Sequence, residues 1–164
     1  MQIVIPESSD REWLKSFWQE SWGGEVIISR RIRYYIDQLQ ALMAQEGGKN
    51  IGAITWALNP PESEIVSLDA LIEDRGIGTA LIGKAEEAIM AQGCTKISLI
   101  TSNDNIRALA FYQKRGYRIE SIFPGAIDMA RRDKPSIPLM GDNGIPIHDE
   151  ILLTKSLHQQ LPHN

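Results

Sequence analysis

The sequence predicts a mixed α/β (α+β) fold, with a mixed, largely antiparallel central sheet of about seven strands and helices on both faces. Two observations predict it. Three strand-like segments separated by turn residues lie between positions 38 and 72, and the last of them leads through a helix into another strand. The crossover through a helix makes two strands parallel, whereas the earlier segments pair as antiparallel neighbours. At 164 residues the chain fits one domain, which we expect over 1–157, followed by a flexible tail at 158–164.

Composition and charge narrow the classes of function. Hydrophobic residues make up 43% and charged residues 23%, which suits a folded core and is too little charge for a disordered chain. The net charge of -4 argues against a protein held by nucleic acid. Cys94 is the single cysteine, which excludes an intrachain disulfide and a multi-cysteine zinc site. No apolar run reaches the roughly 18 residues of a membrane span, and the first residues do not resemble a signal peptide. We therefore expect a cytoplasmic protein.

The N-terminal part predicts a strand over 1–6 and then a helix. Ser9 and Glu12 have capping-box spacing, and an apolar stripe of helical period follows them. This stripe consists of Trp13, Leu14, Phe17, Trp18 and Trp22. It is typical of core packing, and the alternative is a substrate-facing lip at Trp18 or Trp22. Gly23 and Gly24 end the helix, whereas residues 26–36 remain open between strand and loop.

The middle of the chain predicts an antiparallel meander and one β-α-β unit. Strands at 39–45, 51–58 and 65–72 are separated by Gly-Gly and Asn-Pro-Pro turns. A helix at 76–91 has its apolar residues on one face, and a strand at 96–101 completes the unit.

The last third predicts a helix over 105–115, begun by Asn103 or Asp104 and ended by Gly116. Strands at 117–122 and 149–154 follow. The segment 124–146 is rich in Pro and Gly and is interpreted as a long loop with one helical turn near 126–132.

A glycine-containing turn at 73–80 lies between a strand and a helix. Unpaired N–H groups at a helix start bind anions, and glycines let a phosphate approach them. The same spacing of Gly76 and Gly78 also fits a tight turn without a ligand. A P-loop is disfavoured because no Lys follows Gly78, and the dinucleotide fingerprint is disfavoured by the antiparallel context.

One face of the helix at 105–115 carries an amide, a gap and a phenol. Asn105, Ala108 and Tyr112 have the spacing i, i+3, i+7, which places them on one side of the helix. Such a face suits a thin polar ligand, although Tyr112 alone would equally fit a core.

Together these two segments make the sequence resemble the GNAT superfamily of acyl-CoA-dependent N-acetyltransferases, over about 38–122 and the last strand. The family's phosphate motif, Gln or Arg, two residues, Gly, any residue, and Gly or Ala, is matched by Glu73, Gly76 and Gly78. Its later motif is matched by Asn105, Ala108, Phe111-Tyr112 and Gly116-Tyr117. Glu73 departs from the usual residue and Asp74 adds a second negative charge. We expect both side chains to point outward, with Arg75 offsetting their charge.

The resemblance implies a GNAT-like sheet, acetyl-CoA as the acetyl donor, no metal, and a small-molecule or protein amine as acceptor. It places the thioester between the strands at 65–72 and 96–101, where the Leu68 N–H polarises the carbonyl and Tyr112 protonates the thiolate. It also implies that Asn105 bonds the pantetheine arm, that Ala108 leaves it space, and that Arg115 meets the 3′-phosphate or is solvated. The implied cofactor-binding residues are Leu68, Ala70, Arg75, Gly76, Ile77, Gly78, Thr79, Ala80, Asn105, Ala108, Phe111, Tyr112 and Arg115.

The acceptor side is less defined. A primary amine with a pKa of about 10.4 must lose a proton, which costs roughly 4.6 kcal/mol at pH 7. The candidate bases are Glu62, Glu64 and Asp69, and we prefer Glu64. His148 either reaches the acceptor or lies on the surface. The 124–146 loop is expected to cover the acceptor pocket, and a homodimer is possible.

Two other functions stay open. A non-catalytic acyl-CoA sensor would use the same fold and cofactor site without turnover. A basic module binding an anionic partner is the weaker alternative, because the net charge opposes it. Its residues would be Arg30, Arg31, Arg33, Arg131 and Arg132.

Overall fold

The computed structural model describes residues 1–24, 26–30 and 32–158. Arg31, and the predicted tail apart from His158, lie outside these residues. The strands are β1 (Gln2–Val4), β2 (Val26–Ser29), β3 (Ile32–Tyr35), β4 (Gln40–Glu46), β5 (Lys49–Asn59), β6 (Glu62–Ala70), β7 (Lys96–Ser102), β8 (Arg118–Phe123) and β9 (Glu150–Ser156). The α-helices are α1 (Arg11–Trp22), α2 (Ile77–Ala91), α3 (Ile106–Lys114) and α4 (Ala126–Asp133).

Seven strands form the central sheet in the order β1-β4-β5-β6-β7-β9-β8. All neighbours are antiparallel except β6 and β7, which are joined through α2 and run parallel. The predicted mixed, largely antiparallel sheet is therefore confirmed. The open segment 26–36 is a hairpin of β2 and β3 in a separate two-stranded sheet. Its turn includes Arg30 with a φ of 47°.

The helices cover both faces of the sheet, as predicted. On one face, Leu14, Phe17 and Trp18 of α1 pack in a cluster with Met43 and Val66. On the other face, α2 and α3 build a second cluster with strands β4 to β7 and β9. No helix within the described ranges is long and apolar enough to cross a membrane.

Two predicted helix starts are wrong. Ser9 and Glu12 do not form the capping box before α1, because the Glu7 N–H donates to Asp10 Oδ2 at 2.8 Å and a 3-10 turn precedes the helix. The N-cap of α3 is Asn105 rather than Asn103 or Asp104, since Asn105 Oδ1 accepts the Ala108 N–H at 3.0 Å.

Strands β6 and β7 separate halfway along the sheet. Their parallel register runs from Glu62 opposite Lys96 to Ile65 opposite Leu99 and ends there. On its other edge β6 has a bulge at Val66, because Ile65 pairs with Trp56 while Ser67 pairs with Thr55. The bulge bends β6 away from β7, and two cavities open at the gap.

Candidate active site

Two cavities meet where β6 and β7 separate. The first, here called the cleft, has a volume of about 880 Å³ and is lined by the end of β6, residues 72–79 and α3. The second, here called the inner cavity, has a volume of about 380 Å³ and lies between β2, β7, α4 and residues 136–147. Ser21, Trp22 and Asn105 line both, so the two cavities are neighbours that share part of one wall.

The structure brings most of the sequence-predicted cofactor residues together. Eleven of them line the cleft: Leu68, Ala70, Gly76, Ile77, Gly78, Thr79, Asn105, Ala108, Phe111, Tyr112 and Arg115. Arg75 and Ala80 are not among the lining residues. The Ala80 N–H donates to the Gly76 carbonyl at 3.0 Å, so the amides left for an anion are those of Ile77 to Thr79.

Close packing between α2 and α3 leaves little room for a side chain at Gly78. A Cβ at this position would approach the Phe111 ring at 3.3 Å. Gly76 precedes the helix with a φ of 73°, which favours glycine. The two glycines therefore expose the start of α2 on the cleft wall.

Arg107 neutralises Glu73 and Asp74, the two acidic residues that begin the 73–80 turn. Its guanidinium pairs with Glu73 at 2.5 Å and with Asp74 at 2.9 Å, on the exposed rim. The expectation that Arg75 offsets them is wrong, because Arg75 pairs with Glu46 at 2.9 Å.

Arg115 bridges the end of α3 and the start of α2. Its guanidinium lies 3.5 Å from the Phe111 ring centroid, donates to the Phe111 carbonyl at 2.8 Å and donates to the Thr79 hydroxyl. Within the described ranges its Nε is buried with no hydrogen-bond partner. A fixed cation beside unpaired helix amides is an anion-binding arrangement.

Tyr112 supplies a buried phenol to the cleft. Its ring packs edge-on against Phe111 and Tyr117, with centroids 5.1 and 5.6 Å apart. Burial, with the nearby Asp69 carboxylate, raises the pKa of Tyr112 well above its ordinary value. The phenol is therefore protonated at neutral pH and has a proton that it can donate.

Three comparisons with known proteins agree with this geometry. A family model described as "Acetyltransferase (GNAT) family" matches residues 10–117. The chain belongs to this family. The Bacillus subtilis (strain 168) protein YxbD is 46% identical over 159 residues, covering 96% of this chain and 99% of its own length.

Solved structures of GNAT acetyltransferases share the fold. The IAA acetyltransferase from Bacillus cereus ATCC 14579 has a TM-score of 0.76 and 28% identity, covering 95% of this chain and 100% of its own. An acetyltransferase from Bacillus subtilis in complex with CoA has a TM-score of 0.73 and 22% identity, covering 96% of this chain and 99% of its own. The protein is thus a GNAT acetyltransferase.

Trp22, which lines both cavities of this GNAT protein, contacts Asp69, which lines the cleft. The indole Nε1 donates to Asp69 Oδ2 at 2.6 Å. Burial raises the pKa of Asp69 to about 6, although the indole hydrogen bond opposes the rise. Of the two predicted lip candidates, Trp22 lines both cavities, whereas Trp18 is a core residue.

Glu64, the base preferred from the sequence, lies against the β2–β3 hairpin. Its buried carboxylate accepts hydrogen bonds from Ser29 at 2.7 Å and from Tyr34, and pairs with Arg30 at 3.5 Å. It lines neither cavity. Glu62 is also away from the site, because its exposed carboxylate lies 4.0 Å from the Lys96 ammonium.

The segment after β8 forms part of the wall of the inner cavity. Ile137, Pro138 and Ile147 contribute to the wall. Arg131 holds this segment by donating to the carbonyls of the same three residues at 2.8 to 3.1 Å. Arg131, one residue of the alternative basic module, therefore has its guanidinium engaged within the protein.

Cys94 and His148 lie away from both cavities. Cys94 is buried with its Sγ 3.4 Å from the Glu62 carbonyl. His148 is on the surface, where its Nδ1 lies 3.0 Å from Asp128 Oδ1. In the part of the chain that the structure describes, no group of three His, Cys, Asp or Glu residues is arranged to hold a metal.

Sequence reasoning missed two charged residues of the inner cavity, Lys134 and Glu150. Neither belongs to a motif. Glu150 begins the last strand, and Lys134 follows α4 in a segment interpreted as loop. Only the fold brings them to one cavity.

Proposed function

We propose that the chain transfers an acetyl group from acetyl-CoA directly to a primary amine of a small molecule or protein. One observation carries the proposal: the Tyr112 phenol, the exposed start of α2 and the Asn105–Ala108 face line one cleft, and a second cavity shares part of its wall. The Bacillus subtilis neighbour with CoA bound supports the choice of donor.

The residues at the start of α2 fit the phosphates of the coenzyme. Gly78 leaves a place on the wall that a side chain would fill, and Arg115, which lines the cleft, brings a positive charge beside it. The amides of Ile77 to Thr79 add partial positive charge at the same point. Together these groups would hold the pyrophosphate or the 3′-phosphate.

The middle of the cleft fits the pantetheine arm. Asn105 uses its amide oxygen to cap α3, so its NH₂ group is the part that donates to a ligand. Ala108, which lines the cleft between Asn105 and Tyr112, has a small side chain that would leave room for the arm.

Acetyl-CoA supplies an activated acyl thioester when it is bound. Leu68 lies on the stretch of β6 beyond its pairing with β7, where its N–H would donate to the acyl oxygen. Tyr112 would give its proton to the departing sulfur. The amine nitrogen forms a bond to the acyl carbon as the carbon–sulfur bond breaks, and its proton passes to a carboxylate base.

We place this base at Asp69 rather than at Glu64. Asp69 lines the cleft and its pKa of about 6 leaves it ionised at neutral pH but basic enough to accept a proton. Glu64 already receives three donors and is assigned to holding Arg30 and the β2–β3 hairpin.

The test is release of free CoA thiol from acetyl-CoA with a panel of primary amines. Amine-dependent thiol release, with matching formation of the N-acetylated product by mass spectrometry, supports the proposal. Tight CoA binding by calorimetry without thiol release for any amine would instead favour the acyl-CoA sensor.

A further inference from the structure

The inner cavity has an aliphatic body. Eight of its twenty lining residues are isoleucine or valine on β2, β6, β7, α4 and the 136–147 segment, including Ile27, Ile65, Val66, Ile100, Ile127 and Ile147. A volume of about 380 Å³ is at the lower end of the range for small-molecule sites, roughly 300–1,000 Å³. The cavity therefore fits one compact molecule with an apolar body.

A carboxylate lies on one side of this cavity. Glu150 is 4% exposed and accepts the Arg30 backbone N–H at 3.3 Å. The Arg30 guanidinium pairs with Glu64 at 3.5 Å, so two buried carboxylates share one arginine. Burial raises the pKa of Glu150, and the charge of Glu64 adds to the rise. A further cation beside Glu150 would relieve this unfavourable charge.

Glu150 is also close to the wall that the two cavities share. It pairs with Ser102 across β7 and β9, and the Ser102 carbonyl accepts the Asn105 N–H at 3.1 Å. Asn105 lines both cavities. An amine held by Glu150 would therefore lie near the wall of the cleft, where the acyl group is expected.

A lysine contributes positive charge to the same cavity. Lys134 Nζ donates to the carbonyls of Trp22 and Val26, at 2.8 Å each. An ammonium has three N–H donors, so one remains for a ligand. Burial lowers the pKa of Lys134, and a bound anion would compensate for its lost hydration.

We propose that the acceptor is an apolar amino acid: a primary amine with a compact aliphatic or aromatic body and a carboxylate, whose amine faces Glu150 and whose carboxylate faces Lys134. This inference rests on the proposed function. The nitrogen–carbon bond forms, the carbon–sulfur bond breaks, the amine proton goes to Asp69, and the Tyr112 proton goes to sulfur. The products are an N-acetyl amino acid and CoA.

The test compares acceptors that differ only in the carboxylate. Leucine, methionine and phenylalanine are each assayed beside their amides and their decarboxylated amines. We expect kcat/KM for at least one amino acid to exceed that of its two partners by tenfold or more. Lys134→Met reduces this ratio toward one, whereas Arg132→Met, which removes an exposed charge from α4, preserves it. Glu150→Gln raises KM for all three forms.

A binding measurement separates this inference from the proposed function. N-acetyl-leucine and N-acetyl-leucinamide carry no ionisable amine, so calorimetry on the CoA-saturated protein compares their carboxylate and amide directly. In one outcome the wild type binds N-acetyl-leucine more tightly than its amide, Lys134→Met does not, and no amine causes thiol release. That outcome would refute the transfer reaction and keep the binding assignment. Thiol release with amines that lack a carboxylate, equally fast in Lys134→Met, would overturn the inference and keep the reaction. Failure of every acid to bind also overturns the inference.

Discussion

The indole Nε1 of Trp22 donates to the Asp69 carboxylate at 2.6 Å, on the wall where the cleft meets the inner cavity. This contact connects the last turn of α1 to the end of β6. It fixes a half-buried carboxylate near the Tyr112 phenol, and the charge of that carboxylate raises the pKa of Tyr112 further. An acid and a base with separated pKa values thus face one cleft.

Asp69→Asn should change how the rate depends on pH. Below pH 6 the wild type loses both the ionised Asp69, whose pKa is about 6, and the free amine, so log kcat/KM falls with a slope of about two. In the variant only the ionisation of the amine remains, so log kcat/KM falls with a slope of about one, and its value is lower than in the wild type. Steady-state kinetics from pH 5 to 8 measure both slopes. Glu64→Gln is the matched comparison, and a changed slope in that variant alone would move the base to Glu64.

The same substitution should stabilise the fold at neutral pH. The Asp69 pKa is raised from 3.8 when unfolded to about 6 when folded, so the wild type loses stability as pH rises between these values. Asn keeps an acceptor for Trp22 and avoids the buried charge. We expect the advantage of Asp69→Asn in unfolding free energy to grow by on the order of 1–3 kcal/mol from pH 4 to pH 7. Urea titrations at the two pH values measure it, and a constant difference would contradict the burial of this charge.

Tyr112→Phe should slow turnover without weakening the coenzyme. The substitution keeps the ring contacts with Phe111 and Tyr117 and removes only the proton donor. Loss of a general acid lowers kcat by about 10² to 10⁴, while acetyl-CoA affinity stays nearly constant. Tyr117→Phe removes another buried phenol, which donates to Glu86, and should leave kcat intact. An unchanged kcat in Tyr112→Phe, when chemistry limits turnover, would remove Tyr112 from this role.

Arg115→Gln should weaken CoA binding by roughly tenfold, because one charge-assisted hydrogen bond contributes about 1.5 kcal/mol or more. Comparing CoA with 3′-dephospho-CoA by calorimetry identifies the phosphate that Arg115 meets. If it is the 3′-phosphate, the variant binds the two ligands equally. Lys114→Gln, on the exposed end of α3, is the control for charge loss alone. Wild-type affinity in Arg115→Gln would make this arginine a purely structural link between α2 and α3.

Local sequence patterns predicted the cofactor side because its residues lie close together along the chain. The spacing of Asn105, Ala108 and Tyr112 is fixed by one helix, and Gly76 and Gly78 belong to one turn. These signals do not depend on how distant segments pack. Most of the residues predicted from these local patterns line one cavity, the cleft.

The errors arise where tertiary contacts choose between equivalent local options. Asn103, Asp104 and Asn105 are all good N-caps. Asn103 is instead used to accept the N–H groups of His148 and Asp149, at 2.9 and 3.0 Å, and Asp104 accepts the Ser102 hydroxyl. Asn105 is left to cap α3.

The inner cavity was harder to predict because its charged groups are distant in sequence. Arg30 and Glu150 are 120 residues apart, and they meet only after β2 and β9 have folded. The short hairpin around Arg30 has no alternation strong enough to distinguish strand from loop. Such sites depend on long-range packing, which periodicity does not encode.

Gly78→Asp should abolish coenzyme binding. A Cβ at this position would lie 3.3 Å from the Phe111 ring, and the carboxylate would face the place where phosphates are expected. Both steric and charge effects oppose the ligand. Gly83→Asp is the matched control: it adds the same side chain to the same helix at an exposed position with open space around it. We expect CoA affinity by calorimetry to fall at least 100-fold in Gly78→Asp, a loss of about 2.7 kcal/mol, and to stay at the wild-type value in Gly83→Asp. Retained affinity in a folded Gly78→Asp protein would place the phosphates away from the start of α2.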